Sequence, residues 1–135
     1  MNAKKIVLTI AAIAILAITI PVSAATKFTY RDNGYKISLP LVSGGGTGVV
    51  KSNGAYIVCD SGSHGECDFG VLYNGYYYRI LDNMMGDTMD FFPNWDYLKD
   101  AKFNPSKMTI TYRNFDGRLI TVKITNYPKF KATLK

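Results

Sequence analysis

The densest set of reactive side chains surrounds the only histidine. His64 stands between two cysteines in Cys59-Asp60-Ser61-Gly62-Ser63-His64-Gly65-Glu66-Cys67. Two thiolates, an imidazole and a carboxylate could ligate zinc, but the spacing matches no tight zinc knuckle, and exported thiols oxidise. Ser61 or Ser63 could act as a nucleophile with His64 as base. Residues so close on a short loop seldom hold a hydrogen-bonded dyad, however, and no Gly-x-Ser-x-Gly elbow is present. A disulfide between Cys59 and Cys67, with His64 exposed on the loop it closes, accounts for all these residues. Such a bond would contribute about 2–3 kcal/mol by restricting the unfolded chain. No catalytic residue, metal or cofactor is expected.

The carboxylates are equally poor candidates for catalysis. Glu66 is the sole glutamate, so no Glu pair exists for glycoside cleavage. Asp82, Asp87 and Asp90 lack the ordered spacing and central glycine of a helix-loop calcium site. What does stand out is an aromatic concentration that includes Tyr73, Tyr76, Tyr77, Tyr78, Phe91, Phe92 and Trp95. On a strand Tyr76 and Tyr78 share one face and Tyr77 takes the other, so one face is expected to present tyrosine to solvent or a neighbouring loop. Tyr and Trp supply large rigid contact areas with a polar tip and dominate interface hot spots. Tyr76, Tyr78 and Trp95, with Asp87, Asp90 and Asp96 beside them, therefore form the expected binding surface. Its acidity suits a basic protein partner, with a glycan as the alternative.

Charge is spread unevenly. Residues 25–58 carry +3, residues 59–104 carry −5 and residues 105–135 carry +6. The acidic middle holds the aromatics, while the basic end holds few. A single-strand nucleic-acid groove combines both ingredients, so their separation argues against nucleic acid. Lys123, Lys129, Lys131 and Lys135 are expected to form a solvated strand end or to contact an anionic cell surface weakly. The loop Ser43-Gly44-Gly45-Gly46-Thr47-Gly48 lacks the Lys-Ser/Thr ending of a phosphate-binding loop, and no helical pattern follows it.

The elements that position these residues begin after an export signal. Lys4 and Lys5 precede the apolar stretch 6–20, and Pro21-Val22-Ser23-Ala24 closes it with small residues suited to cleavage after Ala24. Fifteen residues are short of the roughly 20 that a spanning helix needs. The expected mature domain, residues 25–135, is a single unit that is periplasmic or secreted, with no membrane span.

Its periodicity is strand-like. Turn signals at Asn33-Gly34, Asn53-Gly54 and Asn74-Gly75 separate alternating segments and predict three hairpins. A fourth hairpin follows from Met108, Ile110 and Tyr112 against Ile120, Val122 and Ile124. A three-residue loop, Phe115-Asp116-Gly117, matches their apolar faces, whereas a two-residue loop would set polar against apolar. Asn94 is the expected N-cap of a short helical insertion near residues 94–102. These features predict an all-β fold, a small antiparallel barrel or sandwich of about eight short strands. The expected function is that of a small exported binding protein that contacts, and inhibits or neutralises, another protein in the manner of inhibitors or immunity proteins.

Overall fold

The computed structural model describes residues 26–62, 67–81 and 90–135, with Cys67 described by its backbone alone. Ten strands run through them: β1 (Lys27–Asp32), β2 (Tyr35–Pro40), β3 (Thr47–Ser52), β4 (Ala55–Ser61), β5 (Cys67–Tyr73), β6 (Tyr76–Leu81), β7 (Lys102–Asn104), β8 (Thr109–Arg113), β9 (Leu119–Lys123) and β10 (Lys129–Leu134). Seven form an antiparallel sheet in the order β2-β1-β10-β6-β5-β4-β3, and three form a second sheet in the order β7-β8-β9. The fold is therefore all-β, as the alternation requires.

Turn chemistry sets the local pairing. In the first hairpin Asp32 pairs with Tyr35 across a two-residue loop, with Asn33 and Gly34 at φ 49° and 84°. Both left-handed positions belong to the turn that matches strand twist. The Asn53-Gly54 and Asn74-Gly75 loops repeat this geometry. In the last hairpin Tyr112 pairs with Ile120 and Ile110 with Val122, and Gly117 sits at φ 82°, which is the three-residue loop.

The large sheet has to curl. Laid flat, its two edge strands would lie about 29 Å apart, six spacings of about 4.8 Å. Those edges, β2 and β3, are joined by only residues 41–46, which span at most about 25 Å when fully extended. They are not extended, because Gly44 and Thr47 exchange backbone hydrogen bonds at 2.8 and 3.0 Å. The concave face thus closes around Phe28, Tyr30, Leu39, Tyr56, Val58 and Tyr77. Over β3 to β6 the convex face is covered by the second sheet, and Ile57, Phe69, Val71, Phe103, Ile110 and Tyr112 fill the space between them. β4 is consequently buried on both sides along nearly its whole length. Residues 41–46 also shield the outer edge of β3, since the Val49 N–H donates to the Ser43 hydroxyl at 3.1 Å.

The described residues hold ten strands where about eight were expected. β7 is too short to show a period. β10 lies in the basic end, where it is an interior strand between β1 and β6 whose lysines, Lys129 and Lys131, stay exposed. The helical insertion is a single 3-10 segment, Trp95–Asp100, capped as expected by Asn94, whose side chain accepts the Asp96 N–H at 3.0 Å. The export signal, His64, Asp82 and Asp87 lie outside the described residues. So does the expected Cys59–Cys67 disulfide, because it involves the Cys67 side chain, although the register places the two cysteines on neighbouring strands. Among the described residues no helix is long and apolar enough to cross a membrane.

Candidate functional site

The exposed aromatic surface is built on one glycine and one asparagine. Gly48 faces the 3-10 segment without a side chain, and a Cβ there would come within 2.5 Å of Leu98 Cδ2 and 2.7 Å of Trp95 Cζ3. One side of the indole therefore lies directly against β3 while the rest remains open. A groove of about 530 Å³ runs beside it, lined by Gly46, Val50, Trp95 and Lys99 among others. Leu98, which is buried, anchors the segment from below.

Residues 90–94 are fastened to the β8–β9 hairpin. The Asn94 N–H donates to Arg113 O at 2.9 Å, and its side-chain amide donates to Phe115 O at 3.3 Å. Asn114, fully buried, returns an amide bond to Asp90 O at 2.8 Å. The Tyr112 hydroxyl donates to Phe91 O, and the Arg113 guanidinium lies 5.7 Å from the centre of the Tyr97 ring. This frame holds Phe91, Trp95, Tyr97 and Phe115 with 41–57% of their surface exposed. Asp90 and Asp96 are exposed beside them.

Of the expected binding residues, Trp95, Asp90 and Asp96 come together here. Tyr78 does not, and this corrects its assignment to a surface. It is only 8% exposed and packs in the core between the two sheets. Tyr77 is fully buried in the concave core, so both faces of β6 are covered; the sequence-based expectation assumed a sheet with one core. Tyr76 keeps 37% exposure but lies far from Trp95. Three strand spacings, about 14 Å, separate β6 from the strand carrying Gly48. The Lys129 ammonium also stands 4.6 Å from the Tyr76 ring centre. Tyr97 closes the aromatic concentration in the sequence without being singled out there, and Phe115 was not anticipated. The one available signal was an aromatic residue placed in a tight hairpin loop.

A second polar constellation lies inside the concave core. Asp60 and Asp68 pair directly across β4 and β5, and both are buried. Like charges in that position are unfavourable, and each is provided with its own donors. Asp60 accepts the Gly62 N–H at 2.8 Å and the Thr47 hydroxyl at 3.3 Å. Asp68 Oδ1 accepts Arg79 Nε at 2.9 Å and the hydroxyls of Tyr30 and Tyr77 at 3.0 and 3.1 Å, while Oδ2 accepts Arg79 Nη2 at 3.3 Å. Arg79 Nη1 reaches outward to Asp32 Oδ2 at 2.6 Å. Neither aspartate stood out in the sequence, because their proximity depends on the strand register. Among the described residues no three His, Cys, Asp or Glu side chains converge as a metal site would require.

Desolvation pushes the Asp68 carboxyl from 3.8 up to about 6, against the pull of Arg79 and the hydrogen bonds from Tyr30, Tyr77 and Arg79. A carboxyl whose pKa is raised on folding contributes stability that is complete below its unfolded value and lost as pH rises through the folded one. That contribution should therefore decline between about pH 4 and pH 6 by on the order of 3 kcal/mol. Urea unfolding of the wild type and Asp68→Asn across this range checks it. The difference in slope between the two proteins should vanish above about pH 7.

Compared with known proteins, the chain matches no family model, no curated sequence and no solved structure.

Proposed function

We propose that this chain is an exported binding protein that docks another protein on the surface formed by Phe91, Trp95, Tyr97 and Phe115. The observation supporting this most directly is the frame beneath these rings. Hydrogen bonds involving the backbone of Phe91, Asn94 and Phe115 fix the segments that carry the four exposed rings, and the Gly48 seat holds one side of Trp95. Little backbone ordering is therefore needed when they are covered. Asp90 and Asp96 at the rim favour a basic partner, because complementary charge speeds encounter and excludes wrong partners.

The test is capture from the envelope and secreted fractions of the producing cells, with the retained material identified by mass spectrometry. One stoichiometric protein should be retained. Trp95→Ala and Phe115→Ala should each weaken it by about 30-fold or more, the loss typical of an interface anchor. Phe115 packs little, so its removal should leave the melting temperature nearly unchanged. Asp90→Asn with Asp96→Asn should mainly slow association and reduce its salt dependence. Retention of carbohydrate in place of protein, with the same loss on Trp95→Ala, would move the assignment to a glycan.

A further inference from the structure

Part of each basic end of the sequence meets in one place. β1 and β2 come from the N-terminal half and β10 from the C-terminus, and they lie side by side in the large sheet. Their apolar residues turn into the concave core. Their other face is left uncovered by the second sheet, and it is ordered by the register. Ser38, Thr29 and Thr133 form one row across β2, β1 and β10, with Thr29 Oγ1 and Ser38 Oγ 3.0 Å apart. One pleat further, Lys36 pairs with Arg31, and the same ladder brings Lys131 alongside, with Lys129 next along β10. The groove over this face has a volume of about 550 Å³ and is lined by the cations Arg31, Lys36, Lys129, Lys131 and Lys135, together with Thr29, Thr133, Tyr30 and Phe130. The only acid in the three strands is Asp32, which is bonded to Arg79. Among the described residues these five cations form no ion pair.

Like charges placed directly across a ladder are destabilising. A row of them in one groove is relieved by an anionic ligand, and the spacing limits what that ligand can be. Alternate residues on a strand lie about 6.8 Å apart and neighbouring strands about 4.8 Å, so several anionic groups on one extended chain can be met together. The adjoining hydroxyl row offers donors and acceptors to hydroxyls between those groups. We propose that this groove binds a linear phosphate-bearing polyol or glycan chain. Two features set it apart from other polyanion sites. Single-strand nucleic acid is held on stacking aromatics; of the rings lining this groove Tyr30 is buried and Phe130 packs against it in the concave core, and Tyr76 beside the groove is already covered by Lys129. A bilayer surface favours exposed apolar anchors next to the cations, and the residues that these strands place on this face are cations, hydroxyls and Pro40.

The test is titration of the purified protein with poly(glycerol phosphate) between about 50 and 200 mM salt. Binding should weaken with salt at a log–log slope near −3, as expected for about four phosphate contacts. Arg31→Gln with Lys131→Gln should reduce that slope by about 1.4 and the affinity by about tenfold or more at the lowest salt. The urea midpoint should be preserved in this variant. Lys107→Gln with Lys123→Gln, and separately Phe115→Ala, should bind as the wild type does, which keeps this site distinct from the aromatic surface. The proposal is overturned by absence of binding at about 50 mM salt, by an unchanged slope in the Arg31/Lys131 variant, or by tighter binding to poly(dT) or to phosphatidylglycerol vesicles.

Discussion

Arg79→Met should lower the unfolding free energy at pH 7 by about 3–5 kcal/mol, the cost of leaving a buried charge without its partner. Arg79 donates to Asp68 through Nε and Nη2 and to Asp32 through Nη1. Its loss leaves two carboxylates near each other, one of them enclosed by Phe28, Tyr30, Phe130 and Tyr77 at the centre of the concave core. Asp68 must then stay protonated to remain inside, so part of the loss should be recovered near pH 5. Adding Asp68→Asn should recover part of it at pH 7 as well, since the orphaned charge is gone. A domain of this size has about 5–15 kcal/mol in total, so chemical denaturation of the single and double variants resolves the effect easily. Additive losses in the two variants would show that the pair is not coupled.

Gly70→Ala should be nearly as damaging, at about 3 kcal/mol or more. Gly70 pairs with Arg79 at the point where the β5–β6 register shifts, with Phe69 opposite Leu81. An added Cβ would collide with the backbone carbonyl of Tyr78 and approach the Tyr77 ring to 2.8 Å. A carbonyl in a ladder has nowhere to move, unlike the end of a flexible side chain. The bare backbone at Gly70 is what lets the Tyr77 ring lie across β5 and reach Asp68. Far-ultraviolet and near-ultraviolet circular dichroism during urea unfolding would show a lower midpoint together with altered tyrosine packing. A wild-type midpoint would mean that the bulge can shift to accept the methyl group.

The hairpins were legible because their causes are local. Asn-Gly at three turns and Phe115-Asp116-Gly117 at a fourth determine loop length, and loop length determines which faces match, so the Ile110–Val122 register followed from about fifteen residues. The Asn94 cap was legible for the same reason. The aromatic site was only half visible. Trp95, Asp90 and Asp96 belong to it. Tyr78 does not, because periodicity reports that a residue alternates but not how many layers cover the sheet. Phe115 joined the site only through the bond from Asn94 to its carbonyl, across twenty-one positions.

The sequence by itself determined the strands other than β7 and β10, the hairpin turns and the chain's division into basic, acidic and basic segments. Tertiary structure alone decided that Arg31 and Lys36 of the first basic segment share one face with Lys129, Lys131 and Lys135 of the last. β10 pairs with β1 across more than a hundred residues, and Thr26 bonds to Lys135 at a separation of 109. It also decided that Asp60 opposes Asp68 and that both faces of β6 are buried. Turn geometry is settled within four residues by steric limits on φ and ψ. The partner of a distant strand is settled by which closure of the curled sheet buries the most apolar surface, and that choice involves the whole chain at once.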